Sequence, residues 1–334
     1  MPDSSGEPSF LRTHFHIVSV ETVTHYRYMD TGPGAVTARD MYYKVQSRVQ
    51  LDLIGEGRTY LQARGESGRT FQASYDYAGP GMHDGYWSFN LKSLYLGQKI
   101  GNHWEAQAGG LEYDQGSGTE MTYADNDAWL EGYRLRYTGQ INKFAPDRIG
   151  VTVGYVGDFL QPNAFARFHR MGEENYIQVL ASRKLSGTRD VSAEFDSFQE
   201  VRYTREAFNW KKMPVPLVQD MTLEAITRAS DNATFGWSGS LSRALDQKSR
   251  MRLGMFYSDM PAGMFLKDGS AVFLNGDCYL PGKRIGPTIK VVPFPNAEIS
   301  LFGGARVDNT VGTRYRGQVA FRYQFASLLN RAIR

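Results

Sequence analysis

Apolar and polar residues alternate with period two along most of this chain. The stretch 313–325, TRYRGQVAFRYQF, shows the pattern clearly. On an extended backbone Tyr315, Gly317, Val319, Phe321, Tyr323 and Phe325 fall on one side, and Arg316, Gln318, Ala320, Arg322 and Gln324 on the other. In 40–54, Met41, Tyr43, Val45, Val49, Leu51 and Leu53 oppose Lys44, Gln46, Arg48, Gln50 and Asp52; in 249–260, Met251, Leu253, Met255 and Tyr257 oppose Arg252, Gly254 and Ser258. Strict alternation bounded by Gly, Asp, Asn, Ser and Pro clusters is the signature of β-strands. The pattern predicts strands at 14–29, 40–54, 58–67, 88–99, 103–113, 127–138, 148–160, 175–186, 190–206, 219–230, 234–245, 249–260, 284–294, 297–308 and 313–325, with 264–274 as a weaker sixteenth. Helical periodicity is almost absent, and no shift of composition or Pro/Ser-rich linker divides the chain, so one domain is expected.

Two features set this all-β pattern apart from a soluble sandwich. Many segments carry 10 to 13 alternating residues, enough for a tilted strand to cross a bilayer and longer than the usual soluble strand. The polar faces also hold Arg, Lys, Glu and Asp in mid-strand. An inward apolar face would demand a very large core with no helices to cover it, whereas a barrel with a wet lumen needs the polar face inside. Aromatics such as Trp104, Trp129, Tyr137, Trp237, Tyr257 and Tyr323 gather near the ends of apolar faces, as interfacial girdles require. The expectation is a transmembrane antiparallel β-barrel of about sixteen strands, with fourteen possible. Connectors 55–57, 100–103, 186–189 and 230–233 read as short periplasmic turns, and 68–87, 114–126, 161–174 and 207–218 as long extracellular loops. Residues 1–12 then form a periplasmic segment, 13–325 the barrel, and 326–334 a tail after the terminal aromatic Phe325.

Composition sharpens this picture. No run of about 18 apolar residues occurs, so no helix is expected to span a membrane, and a mean hydropathy of −0.44 is compatible with a barrel in which every second residue meets lipid. The start MPDSSGEPSFLRTH lacks an apolar signal region; a bacterial outer-membrane location would ascribe this to a trimmed chain or a misplaced start, and a cytoplasmic protein is the competing explanation. Cys278 is the single cysteine, so neither an intrachain disulfide nor a thiolate metal cluster is expected. The net charge of +3 is too small to argue for nucleic acid.

Segment 93–122, SLYLGQKIGNHWEAQAGGLEYDQGSGTEMT, followed by AWLEGYRLRY at 128–137, resembles the alginate-export-like family of outer-membrane barrels, as does MYYKVQSRVQLDLIGEGRTYLQARGES at 41–67. The resemblance implies a passive pore with a basic lumen for anionic solutes, including oligosaccharides.

By face, the pore-lining basic residues are expected to be Lys44, Arg48, Arg64, Lys92, Arg134, Arg136, Arg228, Arg252, Lys290, Arg306, Arg316 and Arg322, with Lys184 and Arg202 in the same phase. Fixed cations on a low-dielectric wall concentrate anions. Arg–Glu ladders between neighbouring strands are the competing use of the same residues. Arg134, Arg136, Arg316 and Arg322 are the best candidates for open charge, because no acid shares their strand face nearby. The aromatic 68–87 loop is a candidate constriction or outer cap. His14 with His16, and Glu194 with Asp196, share faces at a spacing of two, but neither pair brings a third metal ligand or a nucleophile. No catalytic motif is evident, so neither an enzyme nor a cofactor is expected. The expected function is diffusion of small or polymeric anionic solutes, with homo-oligomers possible. The alternatives are a sheath for another outer-membrane or periplasmic protein, such as a cytochrome conduit, or an outer-membrane enzyme. A Ser or Asp within reach of His16, His25 or His103 would favour the enzyme.

Overall fold

The computed structural model describes residues 13–30, 36–55, 57–69, 87–117, 130–140, 142, 144–157, 163–198, 201–229, 234–261, 282–294, 297–306, 314–326 and 329–330. Sixteen strands follow one another: β1 (Phe15–Asp30), β2 (Val36–Ile54), β3 (Thr59–Arg69), β4 (Trp87–Ile100), β5 (Trp104–Leu111), β6 (Leu130–Thr138), β7 (Arg148–Val156), β8 (Tyr176–Ser186), β9 (Arg189–Phe198), β10 (Val201–Trp210), β11 (Asp220–Arg228), β12 (Thr234–Ala244), β13 (Met251–Met260), β14 (Gly282–Val291), β15 (Ala297–Arg306) and β16 (Arg314–Gln324). Each pairs antiparallel with its sequence neighbours, and β16 pairs with β1, so the sheet closes without a free edge.

The alternation resolves in the inverted sense. Large apolar side chains point away from the lumen and are exposed: Val45, Leu96, Leu135, Val151, Val179, Leu223, Leu241, Leu253, Met255, Ile285 and Leu301. The residues between them are buried and polar, among them Arg64, Gln107, Arg134, Thr152, Gln178, Glu194, Arg205, Glu224, Ser238, Ser258 and Arg284. In the 313–325 stretch, Phe321 is 50% and Tyr323 45% exposed on the outward face, and Arg322 takes the inward phase between them.

The count of sixteen is reached by a different route from the one the pattern suggested. Residues 190–206 are not one strand. They form two antiparallel strands, β9 ending at Phe198 and β10 starting at Val201, whose register runs from Val201↔Phe198 to Trp210↔Arg189. A reversal with no Gly or Pro beside it leaves only a faint mark in the hydrophobic pattern, here Phe198 on the otherwise polar face. The weaker candidate at 264–274 lies outside the described residues. The split also reassigns rims. Connector 211–219 joins the short turns at the rim that carries both chain ends, and 229–233 belongs to the opposite rim with the connectors 70–86, 112–129, 157–175 and 261–281. Arg202 is likewise corrected. It precedes the buried Tyr203 and Arg205 in alternation, so it lies exposed on the outward face.

Two local devices close the wall. Asn330 donates from Nδ2 to the Ile17 carbonyl at 2.8 Å, and the Ile17 amide donates back to Oδ1 at 3.3 Å. The tail beyond Phe325 thereby occupies hydrogen-bonding groups of β1 where that strand runs past the end of β16. On the outer wall, the helix Ala164–Arg167 folds back from the β7–β8 connector. Asn163 caps it through Oδ1, which accepts from the Phe165 amide. The helix covers the outward-facing Glu131, whose carboxylate lies 3.2 Å from Arg167 with both side chains at most 1% exposed. Gly110 allows this approach, since a Cβ there would stand 2.7 Å from that of Ala164.

Candidate functional site: an acidic segment clamped inside an arginine-lined lumen

The chain after β5 does not leave the barrel directly. Residues 112–117 turn into the lumen and run along the inner wall from β2 to β9. Arg48 on β2 holds Glu112 with two hydrogen bonds from Nη2, at 2.7 and 2.6 Å. Arg64 on β3 reaches the same carboxylate at 3.3 Å. Arg134 on β6 donates to the Glu112 carbonyl at 2.5 Å, and its Nε donates to Thr152 at 2.9 Å. Asp114 sits between Arg136, at 3.2 Å, and Arg148, which donates to it. Gly150 provides the space, because a Cβ there would stand 3.1 Å from the Asp114 carboxylate. The far side is held by Gln178 donating to the Asp114 carbonyl at 2.8 Å, Tyr113 donating to Glu194, and Ser192 donating to the Ser117 carbonyl at 2.9 Å.

An inner core supports the segment. Tyr60, Tyr95, Leu111, Tyr113, Leu130, Val156, Tyr176 and Phe198 are buried together inside the barrel. Arg205 bridges Glu194 and, at 2.7 Å, Asp196, which also accepts from Tyr176 at 2.8 Å. Buried charges are tolerable when paired and hydrogen-bonded in this way. The Glu194–Asp196 pair is therefore part of the wall's bracing. Towards the terminus-bearing rim lies a polar cavity of about 440 Å³, lined among others by Arg48, Gln62, Tyr95, Lys99, Asp114 and Arg136.

The basic residues picked out by face fall into groups. Arg48, Arg64, Arg134 and Arg136 come together around 112–114. Arg134 and Arg136 do not stand as open charge. Arg136 meets Glu105 across the strand pair at 3.3 Å as well as Asp114, and Arg134 is 3% exposed. The absence of an acid on their own strand face did not reveal acids on β5 and on the inward segment. Lys92 lies 3.5 Å from Glu66 in a separate pair. On the opposite wall Arg252 is paired with Asp220 and also donates to Ser242 at 2.8 Å, and Lys290 meets Glu298 at 2.7 Å. Arg228 is half-buried on β11, and Arg322 is exposed on β16. The side chains of Lys44, Arg306 and Arg316 lie outside the described residues, as does most of the 68–87 loop named as a candidate constriction or outer cap. Sequence reasoning missed Glu112, Asp114 and Arg148. The available signal was Gly109-Gly110, which ends a strand just before the acidic and aromatic Glu112-Tyr113-Asp114.

At the rim, His16 Nε2 lies 2.9 Å from Asp52, which also accepts from Gln50 at 2.7 Å. His103 Nδ1 contacts the Thr138 carbonyl at 2.9 Å.

A closed sixteen-strand barrel with a segment folded into its lumen is the architecture of porins, and comparison with solved structures agrees. An OmpF of Salmonella typhi, solved in complex with daunomycin, superposes with a TM-score of 0.56 at 12% identity, covering 94% of this chain and 98% of that one. A mutant of the Rh. blastica porin superposes with a TM-score of 0.54 at 9% identity, covering 92% and 100%. At such identities the likeness concerns the fold. No protein-family model matches the chain, and no curated protein matches it by sequence. The resemblance of 41–67, 93–122 and 128–137 to the alginate-export-like family is thus not matched by a family model.

Proposed function

We propose that this chain is a bacterial outer-membrane pore through which small polar solutes diffuse passively, with a preference for anions. The observation that carries the reading is the inverted wall: a closed sheet with its apolar residues outside and its charges inside. That arrangement satisfies every strand in a bilayer and leaves a wet lumen. The inward segment narrows the passage. Around it Arg48, Arg64, Arg134, Arg136 and Arg148 face Glu105, Glu112 and Asp114. Five cations against three carboxylates leave a local charge of +2, which favours anions modestly. Carboxylate and phosphate solutes suit the guanidinium fork, and the tyrosines of the cavity suit sugar rings. Reconstitution into planar bilayers under a salt gradient tests this. A reversal potential of the sign for anion preference is expected, and cation preference would refute the basic-lumen argument.

The His16–Asp52 pair favours a second reading, an outer-membrane hydrolase, since it meets the geometric condition set for an enzyme. Here Asp52 is also held by Gln50, and His16 is about half exposed at the rim. Loss of an esterase activity in His16→Ala with conductance intact would establish it; no activity in the parent protein would remove it.

A further inference from the structure

Three connectors on the terminus-bearing rim lean outwards over the wall. In the β6–β7 connector, Arg183 on the outward face of β8 donates to the Phe144 carbonyl at 3.0 Å, and Phe144 is 73% exposed. In the β10–β11 connector, Arg243 on the outward face of β12 donates to the Pro216 carbonyl, and the neighbouring Leu217 is 79% exposed. In the β14–β15 connector, the Phe294 ring lies 6.3 Å from that of Phe321 on the outward face of β16. Each tether comes from the strand after the one that the connector leads into, so one construction recurs three times around the barrel. Each presents an apolar side chain just beyond the strand ends, outside the lumen.

Charge gathers in one sector of the same rim. Lys211, Lys212, Lys248 and Arg250 are exposed in the connectors flanking β11 and β12. The Arg189 guanidinium lies 4.0 Å from the centre of the outward Trp210 ring. The nearby Asp246 is engaged by the Met251 amide at 2.8 Å. Apolar tips at the acyl boundary with cations at headgroup level are the chemistry of an interfacial lipid contact.

We propose that the rim from the β6–β7 connector to β13 is a binding surface for anionic phospholipid headgroups. Leu217 and Phe144 seat at the acyl boundary, and Lys211, Lys212, Lys248 and Arg250 engage the phosphates. The proposal rests on the membrane placement above. The test uses the full chain folded into phosphatidylethanolamine/phosphatidylglycerol vesicles, with Cys278→Ser and an environment-sensitive fluorophore on Leu217→Cys. Bromine is carried on the acyl chains of one lipid or the other at equal mole fraction. Emission is expected to be blue-shifted, with several-fold stronger quenching by brominated phosphatidylglycerol, since one surface cation enriches anionic lipid about fivefold. The combined variant K211Q/K212Q/K248Q/R250Q is expected to equalise the two lipids. Water-like emission without quenching overturns the seating, and equal quenching by both lipids with the cations in place overturns the headgroup assignment. Conductance of the same preparation separates the two readings. Intact conductance without quenching sinks this proposal alone, and quenching without conductance sinks the pore.

Discussion

Replacing Asp114 by Asn removes one negative charge from the narrow part of the lumen and keeps its shape. Asp114 lines the cavity and holds Arg136 and Arg148. The local balance rises from +2 to +3. A unit charge about 6 Å from a passing ion in a water-like dielectric contributes about 0.7 kcal/mol. That is roughly a threefold gain in local anion concentration and a similar loss for cations, before screening. The change costs stability as well. The Asp114 side chain is 5% exposed, but Arg136 and Arg148 are 24% and 30% exposed and regain water. The loss is therefore about 1–2 kcal/mol, below the value for a wholly buried pair. The assay is the reversal potential at about 0.1 M salt or below, where the Debye length is near 10 Å, alongside the unfolding midpoint. A folded variant with unchanged reversal potential would show that Asp114 does not face the conduction path, and the site assignment would fall.

Tyr113→Phe removes the donor to the buried Glu194. A loss of about 1 kcal/mol is expected, read as a lower denaturation midpoint together with noisier single-channel current as the inward segment loosens. Asn330→Ala deletes both hydrogen bonds to Ile17. It should lower the temperature at which the barrel unfolds in gel-shift electrophoresis and leave ion preference unchanged. Met255→Arg places a cation on the outward face in the middle of β13. It should cost about 2–4 kcal/mol of folding into vesicles, measured by denaturant titration; a neutral result would contradict a lipid-facing Met255.

The barrel was legible in the sequence because a wall one residue thick sorts every side chain in or out, and that sorting is written as period two. Strand boundaries were less so. The reversal between Phe198 and Val201 has no Gly or Pro beside it, and its one trace is Phe198 on the otherwise polar face with Ser197 and Gln199 on the apolar one. The candidate site was half legible. Arg48, Arg64, Arg134 and Arg136 follow from strand phase, which is local. Their partners do not. Glu112 and Asp114 reach them by a fold of the connector back into the lumen, a contact that strand periodicity cannot encode. Rim identity was lost for the same reason, since the missed reversal exchanges the two ends of β11 to β13, until the strand expected at 264–274 restores the direction.

Exposure divides the labour among the arginines. Arg134 and Arg205, each 3% exposed, spend their donors on the inward segment or on the wall's own carboxylates. They fix where the segment lies. Arg48, Arg136 and Arg148, at 24% to 31%, keep an edge of the guanidinium in the lumen while holding Glu112 or Asp114 with the rest. The competing uses weighed for these residues, open charge and bracing ladder, are thus carried at different depths of one wall. The carboxylates that pin the segment also cancel most of the field the arginines would project. The anion preference proposed for the lumen would then rest on the +2 left after this cancellation, so changing a single carboxylate should move it further than adding a distant cation.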